Sequence, residues 1–273
     1  MKSIGLSQII EVVRKASVLM IPAGFEIEEK DGLANIVTSS DVAVQKFLCN
    51  RFAELLPGCS FICEEDVEVP DAGNRKDRPG IGYTWIIDPI DGTANYSRGI
   101  DHCCISVALR KGDTVIMGVV YSPWREEMFS AERGVGAFLN GKPIHTSGRS
   151  FNNSVLCTAL SLYRKDLSQM CSDIIMEAYP QCNDIRRFGS AAMELCTVAQ
   201  GKCEMFFEVR LQPWDYSAGI LILEEAGGVA TNLDGVHPRF DGPDLVCAGN
   251  TPENQARLLE IIRKHIPELP YTD

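Results

Sequence analysis

The 273-residue chain has no CxxC pair, although it carries 11 cysteines. An odd number of cysteines at irregular spacings, from Cys49, Cys59 and Cys63 to the adjacent Cys103 and Cys104, supports neither a disulfide framework nor a zinc ribbon nor a thioredoxin-type motif. Such usage predicts a reducing, cytoplasmic setting. No stretch approaches the length of apolar sequence that a membrane-spanning helix needs. Near the N-terminus, Glu11 and Arg14 interrupt Ile9, Ile10, Val12 and Val13, so this is not the apolar core of a secretory signal. Positive charge is also scarce. Lys and Arg number 26 against 37 Asp and Glu, a formal net charge of -11, which repels a nucleic-acid backbone or an anionic membrane surface. Neither is expected as a partner. Small anionic substrates are not excluded, because bound divalent cations reverse the local sign at a carboxylate-rich site. A Walker-type phosphate loop is missing too, since Gly201-Lys202 lacks the preceding glycine spacing and a following Ser or Thr.

What is present is an ordinary globular composition, 45% hydrophobic and 23% charged, in a chain long enough to bury a large core. Apolar residues at three- and four-residue steps predict an amphipathic helix from Ser3 to Ile21, stopped by Pro22. A second helix is expected from the capping residues Ser39, Ser40 and Asp41, through Val44, Leu48, Phe52 and Leu55, to Pro57-Gly58. Between them lies a polar turn, Lys30 to Asn35, with Ile36-Val37-Thr38 leaving it. Ser60 to Cys63 is a short apolar run that meets Glu64-Glu65. Tyr83 to Ile87 has strong β-propensity and runs into Asp88-Pro89, where proline should end sheet pairing. Strands follow at Cys103 to Arg110 and Thr114 to Tyr121, and Asn140-Gly141 marks a hairpin after Gly136 to Leu139.

Beyond residue 143 the pattern alternates: strand Val155 to Leu160, helix Lys165 to Glu177, helix Ser190 to Gln200, strand Glu204 to Phe207. Helices over Asp215 to Ala226 and Pro252 to His265 complete it. No linker separates the halves. The expectation is two tightly packed lobes, residues 1–143 carrying most candidate ligands and residues 144–273 carrying Asp215 and the candidate substrate contacts.

The most informative segment is Trp85 to Thr93, with its Asp88-Pro89-Ile90-Asp91-Gly92-Thr93 run. Five fixed letters, Asp, Pro, Asp, Gly and Thr, arise by chance in such a chain about once in ten thousand. Pro89 stiffens the turn, Gly92 allows close backbone approach, and two carboxylates three residues apart can converge on one point. The plainer reading is turn chemistry after a strand. That reading must also explain Glu64-Glu65 after another strand-like run and Trp214-Asp215 at a helix start. Three element ends presenting carboxylates point to a cation site.

These motifs resemble the inositol monophosphatase family of Mg2+-dependent, lithium-sensitive phosphatases. The resemblance covers most of the chain: Val37 to Asp41, Glu64-Glu65, Trp85 to Asn95, Gly189 to Ala192, and Trp214 to Gly219 leading to Glu225 through Gly228. A haloacid-dehalogenase-type phosphatase also uses Asp-Gly-Thr, but its nucleophilic Asp would fall at Pro89, so a phospho-aspartate route fails. The fold implied is α+β, a layered αβαβα sugar-phosphatase arrangement. All candidate ligands are oxygens, which selects Mg2+, with Mn2+ able to substitute, over zinc.

The resemblance implies two or three ions. Glu64, Asp88 and the Ile90 carbonyl would hold one, and Asp88, Asp91 and Asp215 a second, with a weaker third beside Glu64. Thr93, oriented by Asp41, would take up or relay a proton from the nucleophilic water, with Glu65 in support. Gly92 and Thr93 would begin a short helix whose N–H groups favour the phosphate. Ala191 and Glu208, with Asp91 and Asp215, would contact the substrate, a phosphorylated polyol such as myo-inositol 1-phosphate, and Lys30 would sit on a lid. A homodimer is implied as well. Arg210 stands where a small residue is usual, and a cation near the leaving group would admit a second phosphate. Its alternative is a solvated strand-end charge. Rival readings are a 3′-phosphoadenosine 5′-phosphate nucleotidase, a sugar bisphosphatase, or a catalytically idle binding protein.

Overall fold

The computed structural model describes residues 4–20, 27–29, 36–69, 82–161 and 164–271, with the side chains of 27–29 and 36–38 left aside. Helix α1 spans Leu6–Ala16 and continues as a 3-10 turn over Ser17–Met20. Strands β1 (Ile27–Glu29) and β2 (Ile36–Thr38) pair antiparallel. The turn between them, Lys30 included, lies outside the described residues. Helix α2 (Ser39–Leu55) ends ahead of Pro57-Gly58 as its sequence requires.

A seven-stranded sheet follows in chain order: β3 (Ser60–Cys63), β4 (Tyr83–Asp91), β5 (Cys104–Lys111), β6 (Thr114–Ser122), β7 (Glu127–Glu132), β8 (Gly136–Leu139) and β9 (Lys142–Pro143). Only β3 and β4 run parallel. The four-residue helix α3 (Thr93–Tyr96) leaves the end of β4.

The five-stranded sheet is built from β10 (Val155–Thr158), β11 (Asp184–Arg186), β12 (Met205–Leu211), β13 (Val229–Thr231) and β14 (Asp244–Gly249), in the order β11-β10-β12-β14-β13. Its helices are α4 (Ser168–Ala178), α5 (Ala191–Ala199), α6 (Pro213–Glu225) and α7 (Pro252–His265).

Three apolar clusters stack these elements into five layers. Val13, Leu48, Phe52, Trp85 and Val107 seal α1 and α2 onto one face of the large sheet. Ile86, Val120, Leu195, Ile220 and Phe206 fill the space where α5 and α6 lie between the two sheets. Leu156, Phe207, Ile174 and Leu258 hold α4 and α7 on the outer face of the small sheet. The order is αβαβα. Trp85 anchors the first cluster, fully buried and stacked on Phe52 with ring centroids 4.0 Å apart. Trp214 packs half-buried against the central one.

Several boundaries differ from the periodicity. Pro89 does not end pairing: β4 continues to Asp91, with a register shift between Asp88, opposite Ser106, and Asp91, opposite Cys104. Three steps on β4 oppose two on β5, a bulge that tolerates a residue with no N–H. Helix α6 starts at Pro213, two residues before Asp215, because proline suits the first helical position. The stretch expected to be helical from Lys165 begins with a 3-10 turn. Strand β12 runs on to Leu211, four residues past the expected end.

Candidate active site

Five elements deliver carboxylates to one cleft. Parallel pairing of Cys63 with Ile87, extended by a 3.3 Å hydrogen bond from the Glu64 N–H to the Ile87 carbonyl, sets Glu64 beside Asp88. In a regular strand, residues three apart face opposite sides. The bulge at Pro89 restores the parity, and Asp88 and Asp91 both line the cleft. Asp215 enters from the first turn of α6, where its Oδ2 accepts the Gln212 N–H at 2.7 Å. Glu208 comes from β12. The cleft holds about 670 Å³ of empty space, its mouth included, and is lined also by Ile90, Gly92, Thr93 and Ala191.

Asp88 Oδ1 accepts the Ile90 N–H at 2.9 Å. Asp91 Oδ2 takes the Ser190 hydroxyl at 2.6 Å and the Ala192 N–H at 2.7 Å, so the start of α5 is tied to the end of β4. Between them Gly92 adopts φ 88°, and a Cβ there would lie 3.1 Å from the carbonyl oxygens of both Gly189 and His102. Only glycine fits that approach.

Asp41, in the first turn of α2, is fully buried. The Thr93 hydroxyl lies 3.4 Å from its Oδ1 and donates a shorter bond, 2.9 Å, to the Ile90 carbonyl. Carboxylate oxygens of Asp41, Glu64 and Glu65 all lie within 4.8 Å of one another. Glu65 is buried, its backbone clasped by Gln45, whose Nε2 donates to the Glu65 carbonyl at 2.7 Å and whose Oε1 accepts its N–H at 2.9 Å. It is not a surface carboxylate.

Crowding and burial act together on these acids. Burial lifts Glu64 and Asp88 well above the usual carboxylate range, with Asp215 adding to the first and Glu64, Asp91 and Asp215 to the second. Asp91 is pushed up only to about 6, because Ser190 and the N–H groups of Ala192 and Ala191 oppose its burial. Asp215 rises to about 8, by burial and then by Asp91. Glu64 Oε2 is sheltered and has no hydrogen-bond partner. An all-oxygen set of mutually repelling carboxylates with an orphaned oxygen fits a hard divalent cation.

Arg210 is not part of the cleft. It is half-buried, its guanidinium 5.3 Å from the centre of the Tyr271 ring, and the cation lining the cleft is the exposed Arg187. Sequence reading also missed Glu194, which lines the cleft from α5. The signal available for both was their nearness to Gly189-Ser190-Ala191-Ala192.

Comparison with known proteins places these features in a lineage. A sequence model described as the inositol monophosphatase family matches residues 4–267. The chain is 37% identical over 231 residues to the protein named Nus factor SuhB of Salmonella typhimurium, an alignment covering 84% of this chain and 83% of that one. The crystal structure of extragenic suppressor protein suhB from Bartonella henselae superposes with a TM-score of 0.84 at 29% identity, over 96% of this chain and 99% of the other. The inositol monophosphatase structure from Anabaena superposes with a TM-score of 0.78 at 28% identity, over 95% of each chain.

Proposed function

Because the chain belongs to the inositol monophosphatase family, we propose that it is a Mg2+-dependent phosphomonoesterase that hydrolyses myo-inositol 1-phosphate, or a polyol phosphate of similar shape, to the free alcohol and phosphate. The observation that carries this reading is the convergence of Glu64, Asp88, Asp91 and Asp215, all held above the usual carboxylate range, on one cleft with Thr93. Glu64, Asp88 and the Ile90 carbonyl are assigned to one Mg2+ and Asp88, Asp91 and Asp215 to a second. A third would lie beside Glu64. When bound, Mg2+ neutralises the cluster, polarises the phosphoryl group and acidifies water.

Thr93 and Asp41 handle the proton. For a relay the hydroxyl turns about one bond from the Ile90 carbonyl to Asp41, already 3.4 Å away, a slack contact of the kind that tightens when substrate binds. Glu65 supports this group. Gly92 and Thr93, at the entry to α3, take the phosphate, while Ala191, Glu208, Asp91 and Asp215 surround the leaving alcohol.

Arg210 packs against Tyr271 and does not line the cleft, while its charge still acts on Asp215, so the bisphosphate reading stays the alternative. The 11 cysteines, all thiols, accord with a cytoplasmic location. A homodimer, and a division into lobes at residue 143, are further parts of the proposal. The name Nus factor belongs to the relatives; for this chain the net charge of -11 disfavours a nucleic-acid partner.

The test is phosphate release from inositol 1-phosphate at millimolar Mg2+, with a chelated control. Rapid, chelator-sensitive release that lithium inhibits is expected. Release from 3′-phosphoadenosine 5′-phosphate or a sugar bisphosphate, without release from the inositol ester, would overturn the substrate assignment.

A further inference from the structure

Glu194 is 1% exposed and lines the cleft, yet it stands outside every ligand set above. It lies in the first turn of α5, and its Oε1 accepts the N–H groups of Phe188 at 2.7 Å and Gly189 at 2.9 Å. The Phe188 carbonyl is held by Asn95 Nδ2, also at 2.7 Å. Pinned from both sides, the turn fixes the carboxyl group that pins it. Its other oxygen, Oε2, is shielded from solvent and has no hydrogen-bond partner. Buried polar atoms are almost always paired, so an orphaned oxygen on a residue that lines a ligand cleft lacks a partner that a ligand supplies once the carboxyl group turns toward it.

The surroundings select the chemistry of that ligand. Glu208, 8% exposed, lines the same cleft, and Glu194 is the foremost charged neighbour opposing its ionisation. Burial lifts Glu194 itself to about 8, with Asp91 adding and Arg187 opposing. Two carboxyl groups lining one cleft offer a second phosphate no positive partner, and burial, which opposes the ionisation of both, leaves an ammonium little fixed charge to meet. A hydroxyl, able to donate and accept, suits both. Ala159, Ala191 and Leu211 add apolar wall for the carbon face of a ring.

We propose that Glu194 is a substrate-contacting, specificity-determining residue whose Oε2 hydrogen-bonds a hydroxyl of the leaving alcohol beside the one held by Glu208, so that the cleft selects a polyol over an alcohol phosphorylated at that place. This rests on the phosphatase reading above.

The test compares kcat/KM for inositol 1-phosphate and for phenyl phosphate, whose leaving group offers no hydroxyl other than the one released, in the unaltered protein, Glu194→Ala and Glu194→Gln. The ratio of the two constants falls about tenfold in Glu194→Ala, since a site built to bond a hydroxyl discriminates by that bond. It returns to within about threefold of the original in Glu194→Gln, whose amide keeps the clamp on Phe188 and Gly189 and still bonds a hydroxyl. If Glu194→Ala does not fold, Glu194→Asp, which withdraws the carboxyl by one methylene, is read by the same ratio. An unchanged ratio, with both substrates losing alike, would assign Glu194 to the turn alone and overturn the inference. No Mg2+-dependent release from either ester by the unaltered protein would overturn the functional reading, and this inference with it.

Discussion

Asp88 is the most heavily constrained side chain of the cleft: 2% exposed, faced by Glu64, Asp91 and Asp215, and shared by both proposed ions. Asp88→Asn removes the shared ligand and one source of repulsion together. Turnover is expected to fall about a thousandfold or more, because the cation's charge stabilisation is lost, while the chelated protein melts at the same temperature or higher. Single-turnover phosphate release and thermal melts in chelator check the two halves; substantial residual turnover would refute the shared role. Arg210 gives a prediction of the other kind. Arg210→Ala loses the contact with the Tyr271 ring and is expected to lower stability by about 0.5–1 kcal/mol, with kcat/KM for the inositol ester within about tenfold of the original, since Arg210 does not line the cleft and acts on Asp215 only through its charge. A large change in kcat/KM would return Arg210 to the cleft.

The end of β4 shows how an element can do what no single residue does. Its bulge spends one extra residue, and that residue brings Asp88 and Asp91 to the same side of the sheet. Directly after it, Gly92 turns the chain into α3 so closely that an added Cβ would lie 3.1 Å from two carbonyl oxygens. Gly92→Ala is expected to destabilise the fold by about 1–3 kcal/mol through its left-handed backbone alone, and to displace Thr93 from Asp41. Denaturant unfolding and the kcat of the surviving fraction measure the two effects, and an unaltered midpoint would show that the turn relaxes freely. The motif itself was plain in the sequence. Pro89 differs from expectation because proline normally interrupts a ladder, whereas at the bulge the ladder requires no donor from that position.

At the scale of the whole molecule, the buried acids make stability depend on pH and metal. In the chelated protein Asp91 and Asp215 bind protons up to about pH 6 and about pH 8, whereas unfolded carboxyls release theirs near about pH 4. Between these limits the folded state holds more protons than the unfolded one, so stability falls as pH rises through this window. Melting temperature in chelator should therefore drop from about pH 5.5 to about pH 8.5, and saturating Mg2+ should raise it most at the alkaline end. A chelated protein that melts higher at alkaline pH than at acidic pH would contradict the crowding of these groups. Five layers hold this unfavourable cluster in place, since the apolar clusters on either side of the large sheet share none of its charge.

Chain order alone determined the family, the layered αβαβα class and the motif carboxylates Glu64, Asp88, Asp91 and Asp215, because Asp88 to Thr93, Glu64-Glu65 and Trp214-Asp215 are local patterns that a single segment carries. Helix positions were legible for the same reason: α2 ends ahead of Pro57-Gly58, and α7 starts at Pro252 and carries its own side-chain cap, Thr251. Strands β11, β13 and β14 were not, since pairing depends on partners distant in sequence. Tertiary structure alone decided that Arg187, not Arg210, meets the cleft, and that Glu194 clamps the Phe188–Gly189 turn with one oxygen and leaves the other without a partner. Those outcomes depend on how α5 and β12 pack across the sheets, and one residue's neighbours in sequence do not specify its neighbours in space.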